Sequence, residues 1–215
     1  MEILKNLREY KAVLCLDGEL PCDIIKDLNL PIVAADGAAN TLINAGIDPE
    51  IIIGDLDSVD SSFLKNRKYL KNSSQDSTDF EKSLDFLKEH NMLPAIIAGI
   101  NGGYIDHILN NISIFSQTDS LFISNDVIGF IVSDYKMISV PPNTKISILG
   151  MPSCIINSSG LKWELINYDL NLCGKNSCCN RVISDAVELK IQNGKAVVFI
   201  YTKNISDAGM CDNFA

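Results

Sequence analysis

Residues 51–62 read IIIGDLDSVDSS, and the interpretation of the whole first part of the chain depends on them. Three β-branched apolar residues ahead of a glycine predict a short strand that is buried on both faces. Asp55 and Asp57 follow at the exit of this strand. Two aspartates in that position are either turn residues whose side chains bond the nearby backbone, or ligands for a cation.

Short apolar runs of the same kind recur before and after this stretch. They are KAVLCL (11–16), PIVAA (31–35), EIIIG (50–54), LPAIIAG (93–99) and SLFIS (120–124). Segments with helical spacing lie between them, and the clearest are Phe80, Leu84 and Leu87 and then Ile108, Ile112 and Phe115. Strands that alternate with helices predict a parallel sheet covered on both faces. We therefore expect a Rossmann-like α/β domain over residues 1–126.

The pattern changes at about Val127, where strands follow one another without helices. The predicted strands are VIGFIVS, YKMISV, TKISILGM, AVELKIQ and KAVVFIYT. Asn193-Gly194 separates the last two, and this dipeptide predicts a hairpin turn. Together they predict an all-β domain, a small sandwich, over residues 127–215.

Composition limits the classes of function. The net charge of the 215-residue chain is −9 and it has only three arginines, which argues against nucleic-acid binding. No apolar run approaches the roughly 20 residues that span a bilayer, and the N-terminus does not resemble a secretory signal. The seven cysteines lack the paired spacing of a zinc site, so we expect most to be reduced. We expect a soluble cytoplasmic protein that contacts neither membrane nor nucleic acid.

Acidic and glycine-rich segments follow several of the predicted strands. Asp36 follows PIVAA, and GINGGYIDH overlaps the end of LPAIIAG. The carboxyl ends of parallel strands meet at one edge of a sheet, where ligands of such proteins bind. Clustered carboxylates repel one another unless a cation compensates them, and oxygen ligands beside substrate phosphates suit Mg²⁺. The sequence therefore predicts an acidic rim that binds a metal and a phosphate-containing ligand.

Each of these features also has a purely structural interpretation. Thr78 and Glu81 form the capping-box pattern at the start of a helix. Asp79 can complement the helix dipole, and Gly102 and Gly103 can be ordinary turn glycines.

Four motifs in a fixed order favour a ligand-binding site over the purely structural interpretation. They are ADGAANTL (35–42), IIGDLDSV (52–59), QDSTDFEKSL (75–84) and GGYIDHILNNI (102–112), and SSGLKWEL (158–165) follows in the β domain. Together they closely resemble the thiamine pyrophosphokinase family, over nearly the whole chain. The resemblance implies a homodimer that transfers pyrophosphate from Mg²⁺-ATP to the thiamine hydroxyl and releases AMP.

The resemblance also implies roles for particular residues. Asp55, Asp57 and Asp79 are the expected catalytic and metal-binding residues. The expected ATP-binding residues are Asp36, Gly37, Asn40, Lys82, Gly102, Gly103 and Asp106. The expected thiamine-binding residues are Gln75, Thr78, Trp163, Cys179 and Asn180, in a site at the interface of the two subunits.

Trp163, the single tryptophan of the chain, suits a ligand with a permanent positive charge and two aromatic rings. Two positions depart from the family pattern. Tyr104 stands where an arginine is common, and Cys179 stands where a serine is common.

Two other functions remain open at this point. A sugar-nucleotide transferase could use Asp55 and Asp57 to hold its metal, but it would leave Asp79 and Trp163 without a role. A thiamine or nucleotide sensor could keep the pocket and lack turnover, which Tyr104 and Cys179 would explain.

Overall fold

The structure is a computed structural model that describes Leu7 and residues 9–202. Its described residues divide into two compact units, the first of residues 9–125 and the second of residues 126–202 together with Leu7. Both helices and strands are present, so the predicted mixed α/β class is confirmed. No helix among the described residues is long and apolar enough to cross a membrane.

The first unit contains a parallel sheet. Its strands are β1 (Val13–Cys15), β2 (Ile32–Ala35), β3 (Ile51–Gly54), β4 (Tyr69–Lys71), β5 (Ile96–Ala98) and β6 (Leu121–Ile123). Their order across the sheet is β6-β5-β1-β2-β3-β4, and every pairing between them is parallel. Five of these strands lie within the predicted apolar runs. The sixth, β4, was not predicted, because all three of its residues are exposed and carry no buried apolar pattern.

The helices of this unit connect successive strands. They are α1 (Cys22–Asp27), α2 (Ala38–Asn44), α3 (Ser61–Leu64), α4 (Asp79–Glu89) and α5 (Ile105–Phe115). The helical spacing read from the sequence is confirmed for α4 and α5. Helix α4 buries Phe80 and Leu87, whereas Phe115 is the only buried residue of α5.

The second unit is built from antiparallel strands. They are β7 (Val127–Val132), β8 (Tyr135–Ser139), β9 (Lys145–Ser159), β10 (Tyr168–Asn171), β11 (Ser177–Arg181) and β12 (Ala186–Tyr201). Residues 126–202 contain no helix. None of the six described cysteines forms a disulfide, and Cys211 lies outside the described residues.

One long strand replaces the hairpin predicted at Asn193-Gly194. Strand β12 runs through this dipeptide without turning, pairs with β9 on both sides of it, and shifts register there. Gly194 has a φ of +79°, and a Cβ at this position would lie 2.1 Å from the carbonyl oxygen of Ser153. The prediction of a hairpin is therefore wrong. The same conformational freedom that suits glycine to a turn is used here for a bulge that lies close against the neighbouring strand.

Candidate active site

A pocket opens at the carboxyl ends of β1, β2 and β3 in the first unit. It encloses about 660 Å³ and is also lined by the start of α4 and the first part of α5. Its acidic lining residues are Asp17, Asp36, Asp55, Asp76, Asp79, Glu81 and Asp106. The edge of the sheet where the sequence predicts an acidic rim therefore does contain one.

Three of these carboxylates lie together. Asp36, Asp55 and Asp79 each offer an oxygen atom, and the three atoms lie within 4.8 Å of one another. Asp36 is only 5% exposed. One of its oxygens, Oδ2, accepts a hydrogen bond from the Ser58 backbone N–H at 3.3 Å, while the buried Oδ1 has no hydrogen-bond partner. A buried carboxylate oxygen without a partner is costly, and it is an available ligand for a cation.

The local backbone explains how the carboxylates come so close. A Cβ on Gly54 would lie 2.8 Å from Cβ of Asp36, which is too close, and 3.2 Å from Oδ1 of Asp79, which is a tight contact. Asp36 itself has a φ of +40°, in the left-handed region that a non-glycine residue rarely occupies. The glycine that ends the buried strand is therefore needed for the carboxylate cluster.

The electrostatic environment differs between the members of the cluster. Burial raises the pKa of Asp36, and the neighbouring carboxylates of Asp79 and Asp55 raise it further. The pKa of Asp55 is lowered, chiefly by the hydrogen bond that the Asp57 backbone N–H donates to it. Asp55 therefore stays ionised more readily than Asp36, and a positive charge nearby would favour ionisation of Asp36.

The side chain of Asp57 lies outside this cluster. It is exposed, it accepts a hydrogen bond from the Ser58 hydroxyl at 3.0 Å, and it does not line the pocket. Its backbone N–H donates a hydrogen bond to Oδ1 of Asp55 at 3.3 Å. The third carboxylate that lies with Asp55 and Asp79 is that of Asp36.

Lys82 carries the positive charge closest to the carboxylates. Its side chain is 4% exposed, and Nζ lies 3.0 Å from Oδ1 of Asp79, one helical turn earlier in α4. Among the described residues that line the pocket it is the only lysine or arginine. One cation against three clustered carboxylates leaves the site with net negative charge.

The start of α4 is fixed by the predicted capping box. The Thr78 backbone N–H donates to Oε2 of Glu81 at 2.8 Å, and the Glu81 N–H donates to the Thr78 hydroxyl oxygen at 3.3 Å. The capping box is therefore confirmed. It places Asp79 in the first turn of the helix, with Thr78 and Gln75 in the pocket wall.

The glycine-rich segment packs against the loop that follows β1. The Glu19 N–H donates to the Asn101 carbonyl oxygen at 2.8 Å, and Nδ2 of Asn101 donates to Oε2 of Glu19 at 2.8 Å. Gly102 and Gly103 have positive φ angles and do not line the pocket, but Asp106 and His107 in the first turn of α5 do.

Two further residues shape the loops around the cluster. Asn40 joins the 58–60 segment by donating to the Ser58 carbonyl oxygen at 2.7 Å and accepting from the Asp60 N–H at 2.9 Å. Asp17 lines the pocket but was not predicted. Its position directly after the first predicted strand is the signal that would have found it, because Asp36 and Asp55 follow the next two strands in the same way.

The remaining candidate residues lie in the second unit. Trp163 is 45% exposed, and Nζ of Lys162 lies 4.5 Å from the centre of its ring system. Asn180 is buried, and its side-chain amide bonds both the N–H and the carbonyl oxygen of Trp163. Cys179 has a left-handed φ of +56°, and its backbone N–H donates to the Ser147 hydroxyl oxygen at 3.0 Å.

The chain belongs to the class of two-domain α/β proteins. Its first unit has a carboxylate pocket at the ends of parallel strands, and an all-β unit follows along the chain. Comparison with known proteins specifies the class. A family model described as "Thiamin pyrophosphokinase, catalytic domain" matches residues 25–124, and one described as "Thiamin pyrophosphokinase, vitamin B1 binding domain" matches residues 136–197. The chain belongs to the thiamine pyrophosphokinase family.

Individual proteins of the same name are similar to this chain in sequence. "Thiamin pyrophosphokinase 1" of Caenorhabditis elegans is 29% identical over an alignment of 180 positions, which covers 74% of this chain and 74% of the relative. "Thiamine pyrophosphokinase 3" of Oryza sativa subsp. japonica is 26% identical over an alignment of 207 positions, which covers 78% of this chain and 76% of the relative. The predicted family and enzyme class are confirmed, and the comparisons favour neither the sugar-nucleotide transferase nor the sensor.

Solved structures share the fold. "Thiamin pyrophosphokinase from Candida albicans" superposes with a TM-score of 0.78 at 21% identity, over 90% of this chain and 89% of the other. "Yeast Thiamin Pyrophosphokinase" gives a TM-score of 0.78 at 20% identity, over 91% and 87%.

Proposed function

We propose that this chain transfers pyrophosphate from Mg²⁺-ATP to the hydroxyl of thiamine, giving thiamine diphosphate and AMP. Membership of the family supports the activity, and the cluster of Asp36, Asp55 and Asp79 is the observation that supports its chemistry. A site with excess negative charge and a buried carboxylate oxygen without a partner suits a divalent cation that also binds phosphates.

The proposed metal ligands are the carboxylates that lie together. Asp36 joins Asp55 and Asp79 in this set, because its Oδ1 is buried and has no hydrogen-bond partner. Asp57 is not included in this set, because its carboxylate lies outside the cluster. Its role as a metal ligand remains a prediction from the sequence. A bound Mg²⁺ would neutralise phosphate oxygens and the charge that develops during transfer.

The reaction that we propose is a direct displacement. The thiamine hydroxyl oxygen attacks the β-phosphorus of ATP, the bond from that phosphorus to the oxygen bridging the α-phosphate breaks, and AMP leaves with that oxygen. Asp79 orients the hydroxyl and accepts its proton, and Lys82 supplies positive charge beside it. Catalysis then depends mainly on positioning and on charge stabilisation.

The two units have different proposed roles. Residues 1–126 form a Rossmann-like ATP-binding domain, with Gly37, Asn40, Gly102, Gly103 and Asp106 around the nucleotide. Residues 127–215 form a β-sandwich domain that supplies Trp163 and Cys179 to the thiamine site, which Gln75 and Thr78 complete. The exposed indole of Trp163 suits stacking against the thiazolium cation.

We further propose that the enzyme is a cytoplasmic homodimer and that the thiamine site forms between two chains. Large apolar side chains are exposed in both units, including Tyr104, Ile105, Trp163 and Ile166, and they suit burial against a second copy.

The proposed reaction is tested by its products. Incubation of the protein with ATP, Mg²⁺ and thiamine should yield AMP and thiamine diphosphate in equal amounts. Asp79→Asn should reduce turnover by about a hundredfold or more, because it removes both a proton acceptor and a metal ligand. Asp85→Asn is the matched control, since Asp85 lies exposed on the same helix and does not line the pocket. Formation of ADP and thiamine monophosphate would contradict the mechanism.

A further inference from the structure

The side-chain amide of Asn180 is fully used inside the second unit. The residue is 1% exposed. Its Oδ1 accepts hydrogen bonds from the backbone N–H groups of Trp163 at 3.2 Å and Arg181 at 2.8 Å. Its Nδ2 donates to the Trp163 carbonyl oxygen at 2.8 Å and to the Ser177 hydroxyl oxygen at 3.0 Å. An asparagine side chain can donate two hydrogen bonds and accept two, so Asn180 has no further capacity to bind a ligand.

The loop that carries Trp163 is fixed from a second side by Glu164. Oε1 of Glu164 accepts from the N–H of Gly160 at 2.7 Å and from the N–H of Leu161 at 2.9 Å, and Oε2 accepts from the Ser158 hydroxyl. The main chain on both sides of Trp163 is therefore held, while its indole stays 45% exposed. An exposed ring on a fixed backbone is a preorganised binding surface, because little conformational entropy is lost when a ligand stacks on it.

Strand β11 deforms just before it reaches Asn180. Its pairing with β9 shifts register between Ser177 and Asn180, and Cys179 adopts a left-handed backbone conformation there. Bulges of this kind redirect the side chains that follow, and a left-handed non-glycine residue is unfavourable unless its surroundings impose it. The deformation directs Asn180 into the interior of the unit, towards the peptide groups of Trp163.

We propose that Asn180 is a positioning residue. It fixes the peptide groups of Trp163 so that the indole presents one orientation to the cationic ring of thiamine, and it does not itself contact thiamine. This inference rests on the proposed function for the identity of the ligand. It replaces the expectation from the sequence that Asn180 binds thiamine directly.

The single tryptophan of the chain makes this testable without any turnover. All tryptophan emission comes from Trp163, so its fluorescence anisotropy and its quenching by acrylamide report how firmly the indole is held. In ligand-free Asn180→Ala we expect lower anisotropy and stronger quenching than in the parent protein. The KM for thiamine should rise about tenfold, while the KM for ATP and kcat should change by less than about twofold.

Two further variants accompany this one. Asn180→Asp keeps both acceptor contacts and loses both donors, so it should give intermediate anisotropy and an intermediate KM for thiamine. It also carries the test if Asn180→Ala does not fold. Asn176→Ala is the matched control, because it removes amide hydrogen bonds to Gly150 and Asn171 in the same unit and should leave the emission of Trp163 unchanged.

The outcomes separate positioning from direct contact. Weaker thiamine binding with unchanged anisotropy would mean that Asn180 contacts the ligand, and it would overturn the proposal. Lower anisotropy with an unchanged KM for thiamine would overturn it as well. If the parent protein has no activity with thiamine, the proposed function fails, yet the anisotropy comparison still decides whether Asn180 fixes Trp163.

Discussion

Asp36 changes the expected composition of the acidic site at the residue scale. The sequence placed it in the acidic rim and the family resemblance implied a role in ATP binding only, but its buried carboxylate lies with those of Asp55 and Asp79. Burial raises its pKa from the usual value near 3.8. A raised pKa means that the folded state disfavours the ionised form, so this group's contribution to stability is present at low pH and falls as pH rises through the raised pKa.

Asp36→Asn should therefore raise the melting temperature of the ligand-free protein but remove the stabilisation that Mg²⁺-ATP provides. At pH 7 the ligand-free variant should melt at a higher temperature than the parent, because the buried charge is removed. The rise in melting temperature that Mg²⁺ and ATP produce should be lost, and turnover should fall by about a hundredfold or more. Thermal denaturation with and without Mg²⁺-ATP measures both effects.

Asp57→Asn is the comparison that tests this assignment. Because the Asp57 carboxylate lies outside the cluster, the variant should keep the stabilisation by Mg²⁺-ATP. If Asp57→Asn loses the stabilisation by Mg²⁺-ATP as fully as Asp36→Asn does, the result would support the sequence-based prediction that Asp57 is a metal ligand.

All three clustered carboxylates were among the predicted site residues, for a simple reason. Asp36, Asp55 and Asp79 occupy ends of strands or helices, and parallel topology brings these ends to one edge. The sequence could not separate Asp55 from Asp57, because residues at positions i and i+2 of an extended chain point to the same side. Leu56 lies between them with a φ of +65°, and this left-handed residue breaks the alternation.

Helix α4 shows at the element scale how local stability positions a functional residue. The capping box at Thr78 and Glu81 fixes the turn that contains Asp79. Thr78→Ala should lower the free energy of unfolding by about 1 kcal/mol, because a helix N–H loses its side-chain acceptor. Urea denaturation of the full chain measures this change.

Glu81→Gln is the control for that experiment. Glutamine at this position can still complete a capping box, so its effect should be clearly smaller than that of Thr78→Ala. Equal destabilisation by both variants would indicate that the charge of Glu81, rather than the cap, stabilises the start of the helix.

Elements were predictable where their own residues carry a buried periodic pattern. The five buried strands of the first unit are continuous apolar runs, and helices α4 and α5 carry apolar residues at helical spacing. The edge strand β4 has neither pattern, since all its residues are exposed, and β12 contains a dipeptide that suits a turn and a bulge equally well. Such choices depend on packing against neighbouring strands, which local sequence does not specify.

At the scale of the whole molecule, the dimer proposal predicts complementation between two defective variants. Light scattering should give twice the mass of one chain. In a site formed between two chains, one chain supplies Asp79 and the other supplies Trp163. A mixed dimer of Asp79→Asn and Trp163→Ala therefore keeps one site in which both residues are intact. Mixing the two variants should restore about a quarter of the parent activity at low thiamine concentration, because half of the dimers are then mixed and each has one intact site. An active monomer, or mixtures with no more activity than their components, would contradict the proposal.

The length of β12 has a consequence for how the second unit loses its structure. This strand pairs with β7 and β9 along its second half and with β8 and β9 along its first half. Both halves of β12 pair with β9, so neither half can detach without disturbing the pairing of the other half. We therefore expect local opening to be suppressed and the unit to unfold cooperatively. Slow amide hydrogen exchange should therefore extend along all of β12, including the exposed positions beside its bulge.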